Sequence, residues 1–402
     1  MAQRYGEIRA RSLVLAAPLS AEDQCIQSMS DASPTKWHLA HTSWFFEAMV
    51  LGPLAPGYVP FDERFSYLFN SYYEALGPRH PRPQRGLLTR PTLVQVLAYR
   101  AHVDTGVQDF MATCDEMAWR RALPLLTLGL HHEQQHQELI LTDILHALSC
   151  NPTLPAYQCA AASSHKPALR VAPVTAPLHW VTGRTGTAAI GHDGSGFAFD
   201  NETPRHRVLL SPYRMADRLV TCGEYLQFIE DGGYRRPELW LSDGWAAVQA
   251  NGWSCPLYWL APHDARAPAG DWQVFGLSGV GALDTSAPVS QVSFYEAAAF
   301  AEWAGARLPT EFEWETAFDA PGMTQMTGYA WQWTRSSYGP YPGFHPLAGA
   351  AGEYNGKFMV GQMVLRGGSS ATPLGHTRPS YRNFFPPGAR WQFSGIRLAR
   401  DA

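Results

Sequence analysis

The sequence has few cysteines for its length, and none of them stand in a recognisable motif. The 402-residue chain contains six cysteines, and no two are arranged as C-x-x-C, a spacing common to zinc sites and thiol redox motifs. Few cysteines without a disulfide framework are typical of a reducing compartment. We therefore expect a cytoplasmic protein without structural disulfides.

Charged residues are scarce as well, and no long apolar run is present. Charged residues make up 16% of the chain, the formal net charge is −4, and the one basic cluster is a short arginine set after Tyr73. A duplex-binding surface is therefore not expected. No apolar run approaches the roughly 20 residues that cross a bilayer, and the segment from Ser12 to Ala17 is too short for a signal peptide. The sequence predicts neither nucleic acid nor membrane as a partner and leaves the oligomeric state open.

The composition changes twice along the chain, which predicts two domains and a linker. Residues 1–155 show helix-like periodicity, and residues 156–176 are rich in Pro, Ala and Ser. Residues 177–402 carry short strand-like runs and many glycines, a texture typical of an α+β domain with irregular backbone. The elements expected in this second domain are strands at Val208–Leu210 and Pro288–Val292 and helices at Thr221–Glu230 and Tyr295–Ala304.

A histidine-rich stretch inside an apolar segment is the most informative feature of the first domain. From Leu123 to Ser149 apolar residues recur mostly at three- and four-residue steps, which predicts a helix. At about 100° per residue, His132 and His136 lie roughly 40° apart on one face, near enough to bind one metal ion. Glu138 points elsewhere. A third ligand must therefore come from another part of the chain.

Three further helices are expected before this one. They should cover Pro34–Gly52, with Ser33 as the N-cap, Phe61–Leu76, and Pro91 to about Ala112. Four helices joined by modest loops fit a bundle, whose interior is a usual place to assemble a metal site from facing helices. The helix that starts at Pro34 carries His38 and His41, and either histidine is a candidate third ligand.

Two chemistries fit the histidine pair. His132 and His136 with Glu133 form H-E-x-x-H, the zinc-peptidase pattern in which the glutamate is the general base. That pattern needs a further ligand downstream, yet no glutamate occurs between Glu138 and Glu202 and no third histidine follows at the required spacing. An upstream histidine would instead complete a three-histidine face, suited to a redox metal that keeps open positions for substrates and O2. We favour the redox metal over the peptidase.

Motifs in both domains resemble known enzyme families. The first-domain segments that carry the resemblance are Trp37–Glu47, Leu68–Tyr73 and His131–Glu138. The second-domain segments are Asp200–Glu202, Val220–Thr221, Phe228–Tyr234, Arg307–Glu311, Trp331–Thr334 and Arg366–Ser369. The first set is similar to the ergothioneine-biosynthesis sulfoxide synthases, or hercynine oxygenases, and the second set resembles the formylglycine-generating-enzyme fold.

The resemblance implies a fold, a cofactor and a reaction. The expected fold is multidomain: an N-terminal DinB-like four-helix bundle and a C-terminal C-type-lectin-like domain of the formylglycine-generating-enzyme, or sulfatase-modifying-factor, type. The implied ligands of Fe(II) are His41, His132 and His136, which leaves His38 a structural role. The implied reaction is the O2-dependent joining of a thiol to C2 of the imidazole of N-alpha-trimethylhistidine (hercynine), with oxygenation of the sulfur.

The same resemblance assigns residues to the substrates. Gln135 and Asn383 match family residues beside the histidine substrate, and Phe384 and Phe385 follow in the same stretch. Arg82 and Arg85 are candidates for the carboxylate of the thiol substrate, since arginine pairs bidentately with carboxylates. Which arginine binds it is left open.

Departures from the family pattern indicate a subgroup. No acidic residue follows Asn383 closely, so free cysteine is expected in preference to γ-glutamylcysteine; γ-glutamylcysteine, or an ovothiol-type reaction on histidine, is the alternative. The family's second-domain catalytic tyrosine has no clear match near His345–Leu347, so Tyr72 or Tyr73 is expected to be the catalytic proton donor. Formylglycine-generating enzymes use a cysteine shortly after the motif that matches Arg366–Ser369, whereas Ser370, Ala371 and Thr372 follow it here. Formylglycine-generating activity is therefore not expected.

Overall fold

The chain forms two compact units in a computed structural model that describes residues 1–158, 177–266, 270–347 and 349–402. The first unit comprises Met1–Gln158 together with Leu347–Tyr354, and the second comprises Cys159–Pro346 together with Asn355–Ala402. Most of the expected linker, from residue 159 to residue 176, lies outside the described residues. The domain boundaries given above therefore stay a prediction.

The first unit is a helical bundle. Its α-helices are α1 (Ala2–Ala16), α2 (Thr35–Phe46), α3 (Gly52–Leu54), α4 (Phe65–Phe69), α5 (Leu93–Thr113) and α6 (Glu116–Ser149). A π-helical turn, Glu47–Leu51, extends α2. Helix α2 packs against both α5 and α6, and α1 packs against α6. The predicted helical bundle is thus confirmed, and α1 is a further member that was not predicted.

Two helices differ from their predicted bounds. Helix α6 begins well before Leu123, because Asp115 caps it by accepting a hydrogen bond from the Ala118 N–H at 2.7 Å. The predicted helix Phe61–Leu76 is wrong. Its α-helical part ends at Phe69, because the Asn70 side chain accepts the Tyr73 N–H at 3.1 Å and donates to the Tyr73 carbonyl at 3.0 Å, which holds a turn instead.

The expected cap of α2 is also wrong. Helix α2 has Pro34 at its N-cap and no side-chain capping hydrogen bond. Ser33 is used differently: its N–H donates to Asp143 at 2.8 Å, and its hydroxyl accepts from Arg85 at 2.9 Å. These bonds tie the start of α2 to α6 and to the loop after α4.

The second unit consists of small sheets and short helices. Its strands are β1 (Trp180–Thr182), β2 (Gly186–Ile190), β3 (His206–Leu210), β4 (Tyr213–Ala216), β5 (Trp259–Leu260), β6 (Gln273–Gly276), β7 (Gly279–Ala282), β8 (Trp331–Ser337), β9 (Met363–Arg366), β10 (Asn383–Phe385), β11 (Ser394–Gly395) and β12 (Ala399–Asp401). Its α-helices are α7 (Cys222–Glu230), α8 (Ser242–Asn251), α9 (Phe294–Trp303) and α10 (Glu311–Thr316). The sheets run in the orders β1-β4-β12, β2-β3, β5-β6-β7 and β10-β9-β8-β11. The α+β class is confirmed.

Local signals account for most of these elements. Thr221 and Glu224 form a capping box that starts α7, as expected for a helix at that position. The expected strand Pro288–Val292 is wrong: Pro288 makes only an isolated bridge to Thr221, and Gln291 has a φ of 57°. A residue in the left-handed region ends an extended strand.

Among the described residues, no helix combines the length and apolar character that crossing a bilayer requires.

Candidate metal centre

Three histidines from α2 and α6 meet inside the bundle. A ligand nitrogen from each of His41, His132 and His136 lies within 4.8 Å of the other two. The Nε2 atoms of His41 and His132 are 3.2 Å apart. The four-residue spacing on α6 brings His132 and His136 to one face, and the packing of α2 on α6 delivers His41. His38, one turn away on α2, is not in this group.

The hydrogen bond of His41 fixes which of its ring nitrogens faces the cluster. The Nδ1 atom lies 2.6 Å from the carbonyl oxygen of Phe69, the last residue of α4. A carbonyl only accepts hydrogen bonds, so Nδ1 carries the proton and donates. The lone pair of Nε2 is therefore directed to the other histidines, the arrangement that metal-ligating histidines commonly show.

The electrostatics of the cluster keep all three rings neutral. Burial, followed by the neighbouring histidines, lowers the pKa of His41 and His136 well below the usual value, and burial lowers the pKa of His132 to about 3. Neutral imidazole is the form that binds metals. Three neutral nitrogens converging in a buried site fit a transition metal such as iron, zinc or copper, for which imidazole is a suitable ligand.

Glu133 faces away from the histidines. Its carboxylate accepts hydrogen bonds from Arg9 at 3.0 Å, from Ser12 at 2.6 Å and from Arg100. The side chain is fully buried, and the two arginines hold the pKa of Glu133 at about 2 against the penalty of burial. A carboxylate occupied in this way is not placed to act as the general base of a peptidase.

Three tyrosines pack together, and one of them contacts the cluster. The rings of Tyr72 and Tyr73 stack with centroids 4.8 Å apart, and the ring of Tyr354 lies 6.4 Å from Tyr72 and 5.6 Å from His132. Burial, then Tyr72 and Tyr354, raise the pKa of Tyr73 well above its usual value. The Tyr354 hydroxyl donates to the side-chain oxygen of Gln135. Tyr354 thus lies beside His132 and contacts Tyr72 and Gln135, two of the predicted site residues.

Tyr354 was not among the site residues predicted from the sequence. It lies in the segment Leu347–Tyr354, which belongs to the first unit although it is distant in sequence. The carboxylate of Glu353 anchors this segment by accepting the N–H groups of Glu74 at 3.0 Å and Ala75 at 2.8 Å. A tyrosine in a short glycine-containing stretch carries no periodic signal, and so nothing in the pattern singled it out.

The two candidate arginines differ in their surroundings. Arg85 is 4% exposed, donates to Ser33 at 2.9 Å and to Ser71 at 3.2 Å, and makes no ion pair with any described residue. Burial and the nearby Arg82 and Arg79 lower the pKa of Arg85 to about 8. Arg82 is exposed and donates to the Asp31 carbonyl. Arg85 is therefore the better placed of the two to receive a substrate anion within the bundle.

Arg85 also heads a column of stacked planar groups that runs through His41 to Trp44. Its guanidinium lies 3.5 Å above the centre of the Trp37 ring. The Trp37 ring stacks on the His41 ring at 4.5 Å, and His41 stacks on Trp44 at 5.4 Å. The column fixes the plane of the His41 ring on both faces.

The remaining predicted site residues lie in the second unit. Asn383, Phe384 and Phe385 form β10, which pairs antiparallel with β9. Phe384 stacks on Tyr338 at 4.1 Å, and the Asn383 side chain accepts the Phe384 N–H at 2.9 Å. Their assignment to substrate binding stays a prediction.

Comparison with known families defines the class of the protein. Residues 4–140 match the DinB superfamily. Residues 169–322 and 318–402 match the sulfatase-modifying factor enzyme 1-like domain. The chain is therefore a two-domain protein that joins a DinB-type bundle, in which three histidines meet, to a formylglycine-generating-enzyme-like domain.

Full-length relatives narrow the class to one family. The hercynine oxygenase of Mycobacterium tuberculosis is 30% identical over 450 residues, which cover 100% of this chain and 98% of the relative. The hercynine oxygenase of Mycolicibacterium smegmatis is 31% identical over 425 residues, covering 92% of this chain and 91% of the relative. A formylglycine-generating enzyme of Thermomonospora curvata is 33% identical over 156 residues, covering 35% of this chain and 48% of the relative. The chain belongs to the hercynine oxygenase family, and the resemblance inferred from the motifs is confirmed.

Proposed function

We propose that this protein is an iron- and O2-dependent sulfoxide synthase of ergothioneine biosynthesis that joins cysteine to hercynine. In this reaction the thiol S–H and the imidazole C2–H are replaced by a C–S bond. One atom of O2 is transferred to the sulfur, and the other leaves as water. The observation that carries the proposal is the buried cluster of three neutral histidines, in a chain that aligns end to end with hercynine oxygenases.

His41, His132 and His136 would hold the iron. Bound Fe(II) would supply redox chemistry and open positions for the substrates. The bundle contributes orientation, since the Phe69 carbonyl and the Trp37 ring fix the His41 ring. It also contributes exclusion of water, since His41 and His132 are at most 2% exposed.

The tyrosines would supply protons during turnover. The Tyr73 phenol is protonated at neutral pH, as an ordinary tyrosine is, and burial raises its pKa further, so it carries a proton that it can donate. Tyr72, stacked on Tyr73, is the other candidate. Tyr354 joins them as a third phenol, whose hydroxyl is bonded to Gln135. A proton delivered by one of these groups would direct the reaction to the sulfoxide and away from simple oxidation of the thiol.

Arg85 would bind the carboxylate of the thiol substrate. It is a buried guanidinium with no ion-pair partner among the described residues, a state that an incoming carboxylate relieves. Arg82 would add positive potential from the exposed side, and Gln135 with Asn383, Phe384 and Phe385 would contact hercynine. Free cysteine is the proposed thiol because no acidic residue follows Asn383 closely in the sequence to pair with the distant ammonium group of γ-glutamylcysteine.

The experiment that tests the proposal is anaerobic reconstitution with Fe(II), followed by addition of O2, hercynine and cysteine. We expect mass spectrometry to detect a conjugate with one added oxygen and O2 uptake to match its formation. Protein loaded with zinc provides the control. Peptide cleavage by the zinc-loaded protein, without conjugate from the iron-loaded protein, would contradict the proposal and favour a metallopeptidase.

A further inference from the structure

Two residues outside the histidine cluster are linked to it by a chain of hydrogen bonds. The Nδ1 atom of His38 lies 2.8 Å from the Nδ1 atom of His136. The Nε2 atom of His38 lies 3.0 Å from the Oδ2 atom of Asp143, which also accepts the Ser33 N–H at 2.8 Å. His38 is 2% exposed and Asp143 is 6% exposed. The chain therefore runs from a buried carboxylate, through one imidazole, to a histidine of the cluster.

The chemistry of the atoms fixes the direction of each bond. An ionised carboxylate only accepts, so His38 donates from Nε2 to Asp143. The Nδ1 atom of a neutral His38 is then an acceptor, and His136 must donate to it from Nδ1. The Nε2 atom of His136 is left with a lone pair. This is the tautomer in which His136 can bind a metal through Nε2.

The other two histidines of the cluster have weaker hydrogen-bond partners, or none, at the ring nitrogen that faces away from the cluster. His41 donates to a neutral carbonyl, that of Phe69, and the Nδ1 atom of His132 has no hydrogen-bond partner within the described structure. Within the described part of the chain, His136 is the one histidine of the three that hydrogen bonds link to a carboxylate. A carboxylate behind a ligating imidazole fixes the ring and raises its basicity as a ligand.

We propose that Asp143 and His38 are positioning residues that hold His136 in its Nδ1–H tautomer and strengthen its binding of the metal. The inference rests on the proposed role of His136 as a ligand. The Asp143–His38 pair also joins α6 to α2, and a purely structural tether would stabilise the bundle without changing the metal. The two roles make different predictions, because only a positioning role alters the electronic properties of the bound ion.

The test uses Co(II) as a spectroscopic probe and iron for the redox measurement. The variants are Asp143→Asn, His38→Asn and His38→Leu, and His146→Asn is the matched control. His146 is a half-buried histidine of α6 that bonds to Ser28 at 2.7 Å and has no hydrogen bond to the cluster. His38→Asn keeps an oxygen near the position of Nδ1 and loses the link to Asp143, whereas His38→Leu removes both bonds.

We expect the Co(II) dissociation constant to rise about 10–100-fold in His38→Leu, the range typical of lost outer-shell partners. Asp143→Asn and His38→Asn should show smaller rises. Asp143→Asn should also shift the Fe(III)/Fe(II) midpoint potential to a more positive value, since an anion behind the ligand favours Fe(III). His146→Asn should match the parent in both measurements.

Three outcomes are decisive. If the variants bind Co(II) with the parent affinity, visible spectrum and iron potential while their melting temperatures fall, the pair is a structural tether and the inference is wrong. If His136→Ala also binds Co(II) like the parent, the proposed metal site itself is wrong. If His38→Leu does not fold, the potential and affinity of Asp143→Asn and His38→Asn decide the matter by the same criteria.

Discussion

His38 and His41 stand one turn apart on α2, and the distinction between them is a matter of single hydrogen bonds. His41 presents Nε2 to the cluster, whereas both ring nitrogens of His38 are engaged by His136 and Asp143. We predict that His41→Ala and His136→Ala abolish stoichiometric iron binding, and that His38→Ala retains part of it. Iron content after dialysis and O2 uptake would measure this. Equal loss in all three variants would contradict the choice of His41 over His38.

The tyrosines allow a test of proton delivery that leaves the metal site intact. Phenylalanine removes only the hydroxyl, so Tyr72→Phe, Tyr73→Phe and Tyr354→Phe should all bind iron. We predict that at least one of Tyr72→Phe and Tyr73→Phe diverts product from the sulfoxide conjugate to cysteine sulfinate, and that Tyr354→Phe shows whether the third phenol shares this role. Product ratios by mass spectrometry give the answer. If Tyr72→Phe and Tyr73→Phe both give the product ratio of the parent protein, the two tyrosines contribute packing and not proton transfer.

Glu133 provides a prediction about stability rather than catalysis. Glu133→Gln leaves Arg9 and Arg100 without their shared counter-charge, so we expect a loss of about 3–5 kcal/mol of unfolding free energy with iron content unchanged. The pKa of Glu133 is about 2 in the folded protein against a usual 4.5. Its ionised form therefore stabilises the fold above about pH 4.5, and the contribution is lost as pH falls toward 2.

The measurement is urea unfolding of the parent and Glu133→Gln at a series of pH values. The difference between them should be largest above pH 4.5 and shrink toward acid. Glu116→Gln is the control, since Glu116 forms an exposed ion pair with Arg120 on the same helix and its removal should change little. A peptidase role for Glu133 would instead require loss of activity without loss of stability.

At the scale of elements, the turn that ends α4 positions Tyr73. The Asn70 side chain is 1% exposed and bonds to the N–H and carbonyl of Tyr73 and to the Gly77 carbonyl at 3.2 Å. We predict that Asn70→Ala costs about 1–3 kcal/mol, since buried backbone groups lose their partners, and raises the share of cysteine sulfinate. Thermal unfolding and product analysis would measure both effects. Asn251→Ala, at an exposed site on α8, should leave both unchanged.

Elements with a strong period could be predicted from the sequence, and elements set by side-chain bonds could not. The apolar period over Leu123–Ser149 gave the helix that holds His132 and His136. The same reasoning predicted a helix over Phe61–Leu76 that is too long. The helical periodicity does not reveal that the Asn70 side chain bonds to the backbone and ends the helix. Helix α1 was missed since its buried face includes Arg9 and Ser12, polar residues that serve Glu133.

The residues of the candidate site also divide into those that could be predicted from the sequence and those that could not. The i,i+4 spacing of His132 and His136 is readable in the sequence, but the choice between His38 and His41 depends on tertiary partners. The burial of Arg85 and the exposure of Arg82 depend on how the loop after α4 lies against Trp37. Tyr354 comes from a segment with no period. Its place in the bundle is set by the anchoring of Glu353.

At the scale of the whole molecule, the proposed function makes a prediction about the choice of thiol. We predict a higher kcat/KM for cysteine than for γ-glutamylcysteine, because an ammonium left unpaired costs about 1–3 kcal/mol, roughly tenfold to a few hundredfold in selectivity. Competition between the two thiols, followed by mass spectrometry, would measure it. Arg85→Ala should raise the KM for cysteine, with Arg120→Ala, exposed on α6, as the control. A preference for γ-glutamylcysteine would contradict the assignment to the cysteine-using subgroup, but it would not contradict the proposed iron chemistry.

The membership of Leu347–Tyr354 in the first unit has a consequence for synthesis of the protein. Domains fold largely from the N-terminus as the chain leaves the ribosome, and α2 and α6, which carry the three histidines, are synthesised before residues 347–354. On the proposed role of the histidines, a metal could therefore bind before Tyr354 takes its place beside His132. On the proposed roles of the histidines and tyrosines, metal loading and proton transfer would become possible at different times. A chain released early would carry the proposed ligands without that phenol.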